Sequence, residues 1–338
     1  MAGNLLRVNN NAVITIFALN TSALKITFKP ACITIFKPVI LSWSFIFCMC
    51  YHVNALPVND SLIVPGATTT QQQAIAYINK IKELKPSAFW PNINPVLFLR
   101  NLKVNIQDPI SVYAGNGTNF CGYGALTYLF LKDDPLGYAK LLLQLLHDGK
   151  ARFGKVDFDP SDAIKKGAGL IKYAGRLDIN PAEQMWYLTL ADHYKGYLNI
   201  FNSKYDAEDE QTFWASVNYA KFNRMVRQLL KYTSMSKGSD LKRPYISDLF
   251  TYVNERMKTG MVVLFINNRI VHKKNHVQIK LGVPTHFIVA EKISIQNDII
   301  TLRYWDYGRK TQLQLSAAFF KRIIFGITYF TKKETAGE

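Results

Sequence analysis

Cysteine is scarce in this 338-residue chain. Cys32, Cys48 and Cys50 lie near the N-terminus, and Cys121 stands alone in everything that follows. The body of the protein therefore has no internal disulfide framework and no cysteine-rich zinc site. Glycine (19) and proline (13) are too few for a fibrous or disordered chain. Acidic residues are missing from residues 1–55, which carry Arg7, Lys25, Lys29 and Lys37. Over the whole chain 24 acids face 41 bases, a formal charge of +17. Such an excess favours anionic surroundings: nucleic acid, lipid or cell-wall polymer. The bases are scattered, and there is no zinc finger, RNA-binding signature or basic recognition helix, so nucleic acid is not an expected partner. The nearest approach to a basic cluster, KYTSMSKGSDLKR (231–243), reads as a solvated loop. Nucleotide cofactors are not expected either. In GNGTNFCGYG, Phe120 stands where a dinucleotide fingerprint needs glycine, and no Walker lysine follows.

What is present suits a globular body: 49% hydrophobic and 19% charged residues. The first 55 residues read as a leader. Lys37 supplies a positive flank, Val39 to Cys50 an apolar stretch, and Val53-Asn54-Ala55 a small-residue cleavage site. The expectation is a secreted or extracytoplasmic protein. The alternative is an uncleaved anchor with transient membrane association through residues 31–50, although the run is short for a span. Once the leader is removed, the solitary Cys121 thiol is buried, paired between molecules, or a nucleophile.

Residues 56–107 read as a linker followed by a helix over 68–84, then VLFLRNLKVNI, which fits helix and strand equally. ISVYAG (110–115) reads as extended, and a helix begins near Cys121. Helices are expected in 134–150, 160–174, 181–201, 209–232 and 245–260. DEQTFWASVNYAKFNRMVRQLLKY (209–232) is the strongest of them, with acids first and bases last. The last third is β-rich: GMVVLFINN, THFIVAEKISI, IITLRYWDYG and FGITYF, with Gln296-Asn297-Asp298 as a hairpin turn and LSAAFFKRI as a short helix. Helices first and an antiparallel sheet last define an α+β fold.

Three residues in this frame suit thiol chemistry. Cys121 opens a helix, His286 sits on the strand THFIV, and Asp306 ends the next strand in YWDYG. A hairpin across 296–298 brings His286 and Asp306 toward one end. A helix N-terminus and a nearby imidazolium both favour a thiolate. The histidine moves the proton, and the carboxylate fixes its tautomer and supports its charged form. The backbone N–H of Cys121 and a side-chain amide from Asn116 or Asn119 are the candidate oxyanion donors.

NFCGYGAL followed by THFIVAEKI and ITLRYWDYG resembles the papain-like cysteine peptidase superfamily, closest to the branch that includes the bacteriocin-processing peptidases. The resemblance covers roughly residues 108–130 and 258–330. It implies a papain-like domain over 108–330, with catalytic Cys121, His286 and Asp306, a helical insertion at about 134–257, and a tail at 331–338. Two features depart from the pattern: no glutamine precedes Cys121 as oxyanion donor, and the insertion is long. The implied function is an exported cysteine hydrolase that cleaves an amide bond in a protein or a peptidoglycan stem peptide. No cofactor is called for. Alternatives are a transglutaminase-like acyltransferase with the same triad, and a secreted binding module without catalysis.

Other features have plainer readings. HKKNH (272–276) spaces two histidines for a metal but sits in a basic loop with no completing ligand, so no metal site is expected. Trp186, Tyr187, Tyr194, Tyr197 and Trp214 read as helix packing, with a sugar or peptide platform as the alternative.

Overall fold

The computed structural model describes residues 67–200, 202–230, 232–267 and 283–332, together with two short strands, β1 (Leu6–Val8) and β2 (Ala12–Ile14). β1 and β2 pair antiparallel within a small unit of their own, Met1–Val58. The leader stretch 31–50, the Val53-Asn54-Ala55 site, His272 and His276 lie outside the described residues. Among the described residues no helix is long and apolar enough to cross a membrane.

The second unit opens with α1 (Gln71–Ile78). Thr70 caps it through a capping box with Gln73. VLFLRNLKVNI resolves as α2 (Pro95–Gln107), because Pro95 takes the first helical position and the Asn94 side chain accepts the Leu97 N–H. A single 3-10 turn, Pro109–Ser111, replaces the extended segment expected there, since Asp108 caps it. Next come α3 (Cys121–Asp133) and α4 (Pro135–Asp148), the latter stopped by Gly149 in the left-handed conformation. A ribbon of β3 (Ala151–Phe153) and β4 (Val156–Phe158) follows. The helix expected over 160–174 shortens to α5 (Asp162–Gly167), and the rest forms β5 (Lys172–Tyr173) and β6 (Arg176–Leu177). α6 (Pro181–His193) completes this section.

The 209–232 expectation is corrected. A 3-10 turn at Asp209–Gln211 and α7 (Tyr219–Leu229) are the helical parts, and α7 starts where the Asn218 side chain accepts the Lys221 N–H. The acids upstream form that separate turn instead of the first turn of α7: Asp209 accepts the Asn202 amide and the Asp206 N–H. The basic loop expected at 231–243 is also corrected. Most of it is β7 (Tyr232–Gly238), an edge strand paired along β12.

The remaining elements are α8 (Leu249–Met257), β8 (Met261–Ile266), β9 (His286–Gln296), β10 (Ile299–Asp306), β11 (Arg309–Ser316), α9 (Ala317–Ile323) and β12 (Ile324–Lys332). Six strands form one antiparallel sheet in the order β11-β10-β9-β8-β12-β7. The fold is therefore α+β, as expected. Val263, Phe265, Phe287, Val289 and Trp305 face the core shared with α1–α4, α6 and α7. Val262, Leu264, Ile288, Ala290 and Leu302 face α8 and α9. β8 is buried at every position, so its sequence is a continuous apolar run without alternation. The buried residues of α1 and α2 (Ala74, Ile78, Phe98, Leu102, Ile106) belong to the same core as α3, so the described part of 56–107 is built into the body.

Candidate active site

α3 carries Cys121 at its first position and is buried on all sides from Cys121 through Leu131. A helix apolar all round belongs in the middle of a core. Its N-cap, Phe120, makes no side-chain capping bond. The first-turn N–H groups, which have no partner within a helix, thus open at Cys121 without a capping side chain. The flanking glycines have a steric reason. A Cβ on Gly122 would stand 2.7 Å from the Val217 Cβ, and one on Gly124 would stand 3.0 Å from the Trp305 ring. Glycine lets the strand side and the α7 side both close on the helix.

The loop before Cys121 is fastened to the inserted region. Gly115, at φ +88°, allows Asp178 to approach; a Cβ there would meet the Asp178 carboxylate at 2.7 Å. Asp178 accepts the backbone N–H of Asn116 at 2.8 Å, and the Asn116 side-chain amide also points to it, at 3.4 Å. The Asn119 backbone N–H donates to the Glu210 carbonyl. Its side-chain amide donates to the carbonyls of Gln211 (2.8 Å) and Thr212 (2.9 Å). Both expected oxyanion donors, Asn116 and Asn119, are tied to the neighbouring loops. Asn116 turns to Asp178, and both amide hydrogens of Asn119 are already engaged. Their role is to anchor the loop.

The other two residues sit on the hairpin of β9 and β10. Its two-residue turn, Asn297-Asp298, has both residues at positive φ (49° and 61°), the conformation that suits tight hairpins. His286 begins β9 and Asp306 ends β10. Their meeting depends on a β-bulge. Arg303 pairs with Lys292 but Tyr304 pairs with Ala290, so Glu291 is an extra residue in β9. Continued past Trp305↔Val289, this register sets Asp306 across from Ile288, on the same face as His286. Without the bulge Asp306 would fall opposite Val289 and point to the other face. The His286 Nε2–H donates to Asp306 Oδ1 at 2.6 Å, and both side chains are 1% exposed.

Cys121 comes to the start of β9. Its Sγ lies 3.7 Å from the Thr285 carbonyl oxygen, and the side chain is near enough to His286 to raise the affinity of the ring for its proton. Nε2 serves Asp306, which leaves Nδ1 as the ring nitrogen able to serve the thiol. Burial is the largest influence on His286 and disfavours its charged form. The charge and hydrogen bond of Asp306, with those of Cys121, outweigh it, and the ring is pushed up to about 10. The Tyr307 ring stacks on His286 at 4.6 Å and 21°. It gets there from a tight turn in which Tyr307 has φ 44° and Gly308 φ 79°. That conformation is costly for a bulky residue. Sequence reasoning missed Tyr307, although a Tyr-Gly pair between two β-rich runs marks such a turn. It missed Glu291 and Asp178 too, which carry no local signal.

A cleft of about 620 Å³ opens beside Cys121. Asn119, Gln211, Phe213, Val217, Pro284 and Thr285 line it, with Tyr197 and Leu241 among its apolar walls. Among the described residues Asp240 is the one charged lining residue, and it is already engaged, accepting the Tyr219 N–H at 2.8 Å. Of the aromatic group singled out in the sequence, Trp186, Tyr187, Tyr194 and Trp214 are core, whereas Tyr197 is half exposed at the cleft. Among the described residues no three His, Cys, Asp or Glu side chains are grouped to hold a metal ion. No protein-family model matches the chain, and no curated protein matches it significantly.

Proposed function

We propose that the protein is a papain-like cysteine hydrolase acting on an amide bond. The observation that carries this reading is the meeting of Cys121, His286 and Asp306 from three separate elements at the edge of an open cleft. A structural cysteine needs neither a buried charged pair beside it nor a cleft in front of it. A binding module needs no such relay.

In this reading the Cys121 proton already rests on His286, and the thiolate sulfur bonds to the substrate carbonyl carbon. The carbonyl π pair moves onto oxygen, where the Cys121 backbone N–H donates to it. Collapse breaks the C–N bond, and the His286 proton goes to the leaving amine. A water molecule, losing its proton to His286, then attacks the thioester; the acid departs and the thiol is restored. Asp306 keeps Nε2–H oriented away from the thiol and supports the ring's positive charge throughout.

The apolar walls Tyr197, Phe213 and Leu241 favour a polypeptide with a bulky neutral side chain near the scissile bond. Export, the reading of residues 1–55, remains part of the proposal. The test is incubation with a mixed peptide library and mass spectrometry of the products. Cleavage next to large apolar residues by the wild type, absent in Cys121→Ala, is the expected result. Equal product patterns from both proteins refute the assignment.

A further inference from the structure

We infer that Glu291 is a positioning residue for this site: it clamps the helix that carries Cys121 to the hairpin that carries His286 and Asp306. The inference rests on the triad reading above.

Glu291 is the extra residue of the β9 bulge. A bulge residue at a sheet surface can turn its side chain to water. Here the side chain is instead 2% exposed. Its Oε1 accepts the Tyr128 hydroxyl at 2.7 Å, and its Oε2 lies 3.7 Å from Lys310 Nζ. Tyr128 belongs to α3, two turns beyond Cys121, and Lys310 belongs to β11. One carboxylate therefore touches the nucleophile helix and the far strand of the Asp306 turn. Tyr128 in turn stacks on Trp305, at 5.4 Å and 16°, the residue next to Asp306. Burial first, and the Glu291 charge second, push the Tyr128 phenol far up, so it remains a donor. Lys132, one turn further along α3, feels the same carboxylate against its burial.

An apolar residue would fill this place without the desolvation cost of a buried charge. What a carboxylate adds is direction. It fixes where the extra residue sits in β9, and that place decides which face Asp306 occupies. It also fixes the rotation of α3 about its axis, and with it the aim of Sγ at the His286 ring. Misplacement by about 1 Å at a reacting centre costs on the order of a hundredfold in rate.

The test uses full-length wild type, Glu291→Ala, Glu291→Gln, Tyr128→Phe, the Glu291→Ala/Tyr128→Phe pair, and His286→Ala. Two quantities are read: the iodoacetamide rate constant of the Cys121 peptide by mass spectrometry, and cooperative thermal unfolding. Glu291→Ala and Tyr128→Phe are expected to slow alkylation roughly ten- to hundredfold while still melting cooperatively. The pair falls no further than either single change, as for two ends of one link. Glu291→Gln, which keeps an acceptor for Tyr128, stays close to wild type; that rescue separates positioning from bulk stability. Should Glu291→Ala fail to fold, Tyr128→Phe, which loses only a hydroxyl, decides. Wild-type rates in the folded Tyr128→Phe and Glu291→Ala proteins, with His286→Ala slow, overturn the inference and leave the triad standing. Equal rates for wild type and His286→Ala remove the triad reading, and the inference with it.

Discussion

Asp306 accepts the Nε2–H of His286 at 2.6 Å, with both groups closed off from solvent. The Asp306 charge is the main reason the ring keeps its proton against burial. In Asp306→Asn that charge is gone, and the His286 titration is expected to fall from about 10 to below the ordinary 6.5 of histidine. Ring resonances followed by NMR across pH check this. The folded value lies above the unfolded one. The wild-type pair therefore stabilises the fold fully below pH 6.5, and its contribution disappears as pH rises through about 10. An unchanged titration in Asp306→Asn contradicts the assigned cause.

Gly122→Ala sets two effects against each other. Alanine is favoured in a helix by about 1 kcal/mol. The new methyl, however, would stand 2.7 Å from the Val217 Cβ, and overpacking of that kind costs roughly 1–3 kcal/mol. Net destabilisation is expected in urea unfolding, with recovery in the Gly122→Ala/Val217→Ala double variant. Stabilisation by Gly122→Ala alone would mean that Val217 moves aside freely.

Asn119→Ala separates an anchor from an oxyanion donor. Loss of a donor in the reacting site costs on the order of 10²–10³ in rate. Loss of an anchor that holds the Gln211 and Thr212 carbonyls at the surface costs about 0.5–1.5 kcal/mol of stability. The expectation is lower stability with less than about tenfold change in inactivation by a peptidyl acyloxymethyl ketone. A hundredfold slower inactivation at unchanged stability would restore Asn119 as a donor.

Glu183 gives the fold a second pH dependence. It is fully buried in α6, accepting from the Tyr113 N–H (2.9 Å) and the Asn105 amide (3.0 Å). Burial nevertheless pushes it up to about 7, above its ordinary 4.5. The folded state therefore binds the proton more tightly, and stability falls as pH rises from about 4.5 to about 7. The loss amounts to roughly 3 kcal/mol. Urea unfolding at pH 5 and pH 8 is expected to show that Glu183→Gln gains on wild type at the higher pH. Parallel pH profiles would contradict it.

The three candidate residues stand out in the sequence for physical reasons. Cys121 is flanked by glycines because Val217 and Trp305 press on its helix. His286 and Asp306 border apolar runs long enough to be read as strands. The bulge that brings them together was not legible, since an extra Glu291 in VAEKIS changes register without changing composition. β7 and β11 were missed because both are sheet edges whose polar residues face solvent, as in YTSMSKG and RKTQLQLS. The partners of Asn116 and Asn119, Asp178, Gln211 and Thr212, were not legible because they are remote in sequence.

The central claim is that Cys121 and His286 act as one unit. The most direct measurement is the iodoacetamide rate of the Cys121 peptide from pH 5 to 9, in wild type and His286→Ala, with Cys32, Cys48 and Cys50 as internal references. Fast labelling of Cys121 in the wild type that slows sharply in His286→Ala, while the references stay unchanged, is the expected result. Slow labelling of Cys121 in both, released only by unfolding, would contradict it.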